Sequence, residues 1–304
     1  MKKVLVTGAA GSVGIQVIKY LLAEGKYEVT ALDLKSKVVF KKMRRFRKRI
    51  NILYGDVTDR VLIEALVKDH DVIIHLASSL PPLSDMKKGL AEIIDYDGSE
   101  NIIRAISYYN PKCHLFLAST TSLYKNIENP TVKSKIELDD YDYFSQAKYK
   151  AELLVKEKLK NYTIYRIPLV LGNPLVDPFM YNVKKNSIVG FVTKEDVAYA
   201  FVKGIKYLDK LNKKTYNVMS EETILFNDLL QKYLKICGLS WEYIFGRVLL
   251  EKDYYSPVCA DQELLNSVID YQTDSLALYF KRLSSKVRKR KVAKFLAKPL
   301  IKKK

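Results

Sequence analysis

An apolar strand pattern, Lys3 to Thr7, runs straight into Thr7-Gly8-Ala9-Ala10-Gly11-Ser12-Val13-Gly14, and a helical pattern carried by Val13, Val17 and Leu21 begins at once. Glycines at these spacings let the backbone turn tightly, approach a pyrophosphate, and pack helix on strand. The helix N-terminus adds N–H donors and the positive end of its dipole. The spacing therefore expects phosphate groups over Gly8, Gly11, Ser12, Val13 and Gly14. A second strand pattern, Tyr27 to Asp33, ends in a carboxylate 19 residues after Gly14, where an acid accepts hydrogen bonds from a ribose diol.

Further strand patterns at Ile50 to Tyr54, Val72 to Leu76, His114 to Ser119, Tyr162 to Ile167 and Thr215 to Met219 alternate with helical spacings. The latter are Leu62 and Leu66, then Ile93, Ile102, Ile103 and Ile106. Strand, helix, strand in repeated order predicts an α/β fold with a doubly wound parallel sheet. No internal repeat and no Pro/Gly/Ser linker interrupts the pattern, so one folded body followed by a tail is expected.

Later segments extend this start in a fixed order. Gly55-Asp56-Val57-Thr58-Asp59 follows the third strand pattern, and Asp71-Val72-Ile73-Ile74-His75-Leu76-Ala77-Ser78 spans the fourth. Asp97-Gly98-Ser99-Glu100-Asn101, Arg166 with Gly172, Glu195-Asp196-Val197-Ala198 and Tyr216-Asn217-Val218 come after. Together with the TGxxGxxG spacing, they resemble the extended branch of the short-chain dehydrogenase/reductase superfamily, the nucleotide-sugar epimerases and dehydratases, over about residues 1 to 283. The resemblance implies a Rossmann-type core (about 1–170 plus 194–220) and a small C-terminal substrate side (about 173–193 and 221–283). It also implies adenine contacts from Asp56 and Val57, a strand end Leu76-Ala77-Ser78 under the cofactor, Pro168 beside it, and a homodimer through core helices. Three departures stand out: Asp95 where an Asn is usual, Ile167 where a Pro is usual, and only Asn173 to Thr193 where a long substrate insertion is usual.

Asp33 favours NAD, because a carboxylate there repels a 2′-phosphate. Lys35, Lys37 and the basic run after residue 40 leave NADP open if that loop folds back.

The resemblance further implies a Ser or Thr that hydrogen-bonds the reacting oxygen, a Tyr that acts as acid and base, and a Lys that lowers the Tyr pKa and holds the nicotinamide ribose. Thr120 stands four residues before Tyr124, and in Tyr143-Phe144-Ser145-Gln146-Ala147-Lys148-Tyr149-Lys150-Ala151-Glu152 the residues Lys148, Ala151 and Glu152 keep the YxxSKxxAE register. The Tyr position then falls on Phe144. A phenyl ring fills the volume but carries no proton, and a one-residue offset on a helix turns a side chain by about 100°. Thr120 and Lys148 are thus the expected catalytic pair, with Tyr143 as replacement acid and Tyr141 and Tyr149 as rivals. Loss of a positioned acid/base group costs on the order of 100-fold to 10,000-fold. Two activities remain open: an epimerase/dehydratase-like oxidoreductase acting on a sugar-related or nucleotide-sugar substrate, and a non-catalytic NAD(P)(H)-binding sensor or scaffold.

Charge bears on location. The formal net charge is +18 over 304 residues, with twelve basic and no acidic residues from Lys281 to Lys304 and seven basic residues in Phe40 to Ile50. Spacings of three and four place Phe40, Met43, Phe46 and Ile50 inward on a helix with a solvated basic face. The segment 284–304 mixes cations with Val287, Val292, Phe295 and Leu296, which reads as a basic amphipathic stretch for an anionic membrane surface. A tail without any partner is the alternative, and the lack of aromatic interleaving argues against nucleic acid. Three distant cysteines and the two-lysine start MKKVLVTGAAGSVG point to a cytoplasmic address without a signal peptide, peripheral at the inner membrane face if the tail binds. His70, His75 and His114 have no metal-ligand spacing, so no metal is expected.

Overall fold

Val4 and Val6 pack on one side of strand β1 (Lys2–Thr7) and Leu5 on the other, and all three are fully buried. A strand apolar on both faces needs helices over both, which gives three layers. In the computed structural model, which describes residues 1–80, 84, 89–125, 127–140, 142–172, 186–238 and 256–289, β1 leads to α1 (Ser12–Glu24), β2 (Tyr27–Asp33), α2 (Lys37–Met43), β3 (Asn51–Tyr54) and α3 (Arg60–Lys68). Then follow β4 (Val72–His75), α4 (Gly98–Tyr109), β5 (His114–Thr120), α5 (Tyr143–Lys158), β6 (Tyr162–Ile167) and β7 (Leu169–Leu171). The chain continues through β8 (Ile188–Val189), β9 (Phe191–Thr193), α6 (Lys194–Gly204), β10 (Lys214–Asn217), β11 (Ile224–Leu225), α7 (Phe226–Cys237), α8 (Leu264–Ile269) and α9 (Leu276–Lys289).

Seven strands pair in parallel in the order β10-β6-β5-β4-β1-β2-β3, the doubly wound Rossmann-type sheet expected from the sequence. The winding reverses between β1 and β4, so the glycine turn leaving β1 opens into the crevice where α/β sheets bind ligands. One core packs α1 and α6 on Val4, Val6, Ile74, Phe116 and Tyr165. The opposite core packs α3, α4 and α5 on Leu5, Leu32, Ile73, Leu117 and Ile164. A third, smaller cluster gathers β7, β9, α7 and α9 around Phe191, Phe226, Tyr233, Tyr279 and Leu283.

Local details depart from simple periodicity. Met43 and Phe46 are buried as expected, but Phe40 is 58% exposed. The cause is the tighter 3-10 turn Arg44–Phe46, which follows α2 directly and shifts the phase of the apolar stripe. Ile93 is likewise 51% exposed, because residues Glu92–Asp97 form a π-helical turn. That turn puts Asp95 fully inside. Helix α9 runs past Leu283 to Lys289, and Val287 packs on the third cluster, so the folded part crosses the 283/284 boundary. Of the expected substrate side and tail, residues 173–185, 239–255 and 290–304 lie outside the described residues, as does Tyr141. Among the described residues, no helix is long and apolar enough to cross a membrane.

Candidate active site

Two glycines shape the turn after β1. Gly8 has φ +63, and a Cβ there would lie 2.7 Å from the backbone of Leu76 and Ala77; a Cβ on Gly14 would lie 2.5 Å from the Gly8 carbonyl oxygen. The glycines thus bring β1, α1 and the end of β4 to backbone contact. Gly11 is the N-cap of α1 and supplies no capping side chain, so the first-turn N–H groups at Ser12, Val13 and Gly14 are suited to an anion. Asp33 closes the side of this turn: its carboxylate accepts from Ala10 N (2.7 Å) and Leu34 N (2.8 Å). Each oxygen retains a second lone pair for a diol. Lys42 donates to the Ala10 carbonyl at 3.0 Å, so the basic segment does fold back onto the turn, whereas Lys35 and Lys37 are exposed.

The rest of the expected cofactor set follows the ends of further parallel strands: Asp56 and Val57 after β3, Leu76 to Ser78 after β4, and Pro168 after β6. Asn101 donates to the carbonyls of Val57 (3.2 Å) and Thr58 (3.1 Å), which ties the Asp56-Val57 turn to α4. Thr7 Oγ1 accepts from the N–H groups of Leu76 (3.2 Å) and Ala77 (3.3 Å). Its own proton therefore goes to His75 Nδ1, at 2.7 Å. His75 Nε2–H in turn donates to Ser99 Oγ at 3.0 Å, and Ser99 Oγ–H donates to the Asp95 carbonyl. Burial, reinforced by the Lys148 charge, pushes the His75 pKa down to about 3, so this chain is held by a neutral ring. Pro168 is buried between β6 and β7. A tight phosphate turn, an uncapped helix start and a carboxylate at the end of β2 fit a dinucleotide.

Lys148 is almost fully buried and forms an ion pair with Asp95 Oδ1 at 2.9 Å. It also donates to the Ala118 carbonyl at 3.2 Å. Asp95 accepts from Ser78 Oγ, and from Ser79 N (3.0 Å) and Ser79 Oγ (2.6 Å). Phe144, 3% exposed, lies on the same side of α5, with its ring centroid 5.8 Å from Lys148 Nζ. Tyr143 opens α5 half-buried and is rotated by about 140° from Lys148 around the helix, against about 40° for Phe144. Thr120, at the end of β5, starts a buried hydroxyl chain: Thr120 Oγ1 to Ser122 Oγ (2.8 Å) to Ser145 Oγ (2.9 Å). The fold thus places Thr120 at the end of β5 and Lys148 one turn after Phe144 on α5, and keeps Tyr143 on another side of α5.

Behind these residues the motifs of the second half converge. Arg166 makes a two-pronged ion pair with Glu152 (Nε–Oε1 2.9 Å, Nη2–Oε2 2.7 Å), and Ser119 Oγ also donates to Glu152 (2.6 Å). Arg166 Nη1 donates to Tyr124 OH (3.0 Å), Tyr124 OH to Asn217 Oδ1 (2.8 Å), and Asn217 Nδ2 to Asp261 Oδ1 (2.7 Å). Burial raises the Tyr124 pKa to about 12, which keeps it a donor. Sequence motifs point to Ser78 but not to Ser79, Ser122 or Ser145, whose roles come from tertiary proximity alone. For Asp95 the only signal is its place where an Asn is usual.

A sequence model of the NAD dependent epimerase/dehydratase family matches residues 4–199. A dTDP-glucose 4,6-dehydratase of Mycolicibacterium smegmatis is 25% identical over 235 residues, covering 73% of this chain and 70% of that protein. A UDP-N-acetyl-alpha-D-glucosaminuronate decarboxylase of Bacillus cytotoxicus is 32% identical over 125 residues, 40% of this chain and 38% of that protein. In three dimensions the chain is similar to UDP-glucuronic acid 4-epimerase of Bacillus cereus in complex with UDP-glucuronic acid and NAD, with TM-score 0.79, 18% identity, and 94% of this chain and 99% of that one covered.

Proposed function

The chain belongs to the NAD dependent epimerase/dehydratase family, and we propose that it is an NAD-dependent enzyme acting on a nucleotide sugar through an altered acid/base site. The observation that carries this reading is the pairing of a retained, buried Lys148 with Asp95 beside Phe144. Bound NAD supplies the hydride-accepting and hydride-returning centre. The turn Gly8 to Gly14 holds its phosphates, Asp33 holds the adenosine ribose, and Asp56 and Val57 border the adenine. Leu76, Ala77, Ser78 and Pro168 form the wall beneath it. Lys148 fixes the nicotinamide ribose, and Thr120 hydrogen-bonds the reacting oxygen of the substrate. The acid/base group is then a side chain other than residue 144, and Tyr143 fills that role after a local turn of the α5 start. The dehydratase, decarboxylase and epimerase relatives support a nucleotide-sugar substrate. Exposed Tyr108 and Leu153, on the outer faces of α4 and α5, support a homodimer through these helices. Residues 284–304 hold the protein at an anionic membrane surface.

Phe144 favours a second reading, in which the protein binds NAD(H) without turning over. The two are separated by incubating the parent and Phe144→Tyr with NAD and a panel of UDP- and dTDP-sugars, following NADH absorbance and product sugars. Turnover by the parent, raised about 100-fold or more by the added phenol, is the expected result. NAD binding with no turnover in either protein would overturn the catalytic reading.

A further inference from the structure

The described start of the second basic concentration approaches the first: Lys286 and Arg45, 241 residues apart, both act on the Lys19 ammonium. Lys41, Arg44, Arg45 and Arg47 alone line a surface hollow of about 410 Å³ beside α2, a volume typical of small-ligand sites. Lys37 and Lys41 of α2 fall opposite the buried Met43, exposed Arg44 and Arg45 follow in the 3-10 turn, and Val38 and Phe40 on α2 are 63% and 58% exposed. Across α1, Lys194 and Lys286 border a second, small hollow with Arg282. Lys19 lies between the two groups: burial first, then the charges of Arg45 and Lys286, hold its ammonium below the ordinary value. The acid in this band, Glu195, is already taken by Lys194 and Arg282. Among the described residues, Lys41, Arg44, Arg45, Arg47 and Lys286 form no ion pair.

Repulsion among clustered cations is relieved by an anionic counter-surface. Aliphatic Val38 beside them is matched by the acyl boundary of a bilayer and by nothing on a phosphodiester backbone. We propose that this face, centred on α2 and the Arg44–Phe46 turn and continued by Lys19 and Lys286, docks on an anionic lipid bilayer. It extends to the folded body the membrane reading of residues 284–304, and the two can fail separately.

The test is cosedimentation of full-length protein with phosphatidylcholine vesicles, with and without phosphatidylserine. The parent is compared with Lys41→Gln/Arg44→Gln/Arg45→Gln and with Lys294→Gln/Lys298→Gln/Lys302→Gln/Lys303→Gln/Lys304→Gln. Each basic side chain near an anionic leaflet is worth a factor of about five, so the face variant should bind about 100-fold more weakly, with the difference fading as salt rises. Unchanged melting temperature and NAD affinity show that the variant is folded. Face-variant binding equal to the parent overturns the proposal whatever the tail variant does. Tail-variant binding equal to the parent, with a weak face variant, removes the tail reading alone. If the parent ignores both vesicles and instead loses a duplex-DNA complex on the same face substitutions, the face belongs to nucleic acid and the proposal falls.

Discussion

Asp95→Asn would install the residue usual in related sequences, and the structure predicts that in this chain it is destructive. Asp95 Oδ1 faces Lys148 and Ser78, and Oδ2 faces Ser79 N–H and Ser79 Oγ. An asparagine has one acceptor oxygen and one NH₂ group, so the amide donor must face either the ammonium or the Ser79 N–H. Neither orientation is satisfied. In either orientation the change leaves the buried Lys148 ammonium without its carboxylate. Removing one partner of a buried ion pair costs about 3 to 5 kcal/mol. At about 2.1 cal/mol/K per residue, 304 residues unfold with roughly 0.64 kcal/mol/K, so the expected fall in melting temperature is about 5 to 8 °C. Calorimetry at neutral pH measures it, and the double variant with Lys148→Met should recover about half or more of the loss, since an apolar replacement of both charges is close to neutral. A fall of less than about 2 °C, or a double variant no more stable than the single, would refute the claim that the pair is charged and mutually dependent.

Gly14→Ala puts a Cβ against two backbone carbonyls, so it should displace the start of α1 and lower NAD affinity at least tenfold, read by titration calorimetry; unchanged affinity would mean the turn does not hold the phosphates. His75 gives a pH signature. The unfolded chain protonates it below about 6.5 while the folded chain waits until about 3, so the stability it contributes is complete above about 6.5 and is lost as pH falls toward 3. Urea unfolding at pH 7 and pH 4 should show the gap between parent and His75→Gln shrinking by a few kcal/mol. An imidazole that titrates near 6.5 by NMR would contradict this.

The first half of the site was legible because its geometry has few solutions in residue type. A Cβ does not fit at Gly8 or Gly14, and Asp33 ends the second strand against Ala10 N, so spacing alone located the tight turn and the carboxylate beside it. Asn101 was legible as a motif letter, and the structure supplies its reason: two carbonyls of the Asp56 turn to hold. The Asp95–Lys148 pair was hidden because its partners are 53 residues apart and a π-helical turn sets the side-chain direction. The hydroxyl chain through Ser122 and Ser145 was hidden for a similar reason, since serines are common and proximity depends on how α5 lies against β5. Phe40 misled because a three-and-four spacing assumes one continuous helix, and the 3-10 turn at Arg44 breaks that assumption.

The network from Glu152 through Arg166, Tyr124 and Asn217 to Asp261 has a consequence for biosynthesis. Asp261, which also accepts from Val132 N at 2.8 Å, leaves the ribosome 95 residues after Arg166, about 5 to 20 s later at ordinary elongation rates. Asn217 follows Arg166 by 51 residues, so for about the first half of that interval β6 has neither β10 beside it nor the Asn217 partner of Tyr124. A nascent chain can therefore close its glycine turn early, yet the network behind β5 is finished only when Asp261 arrives.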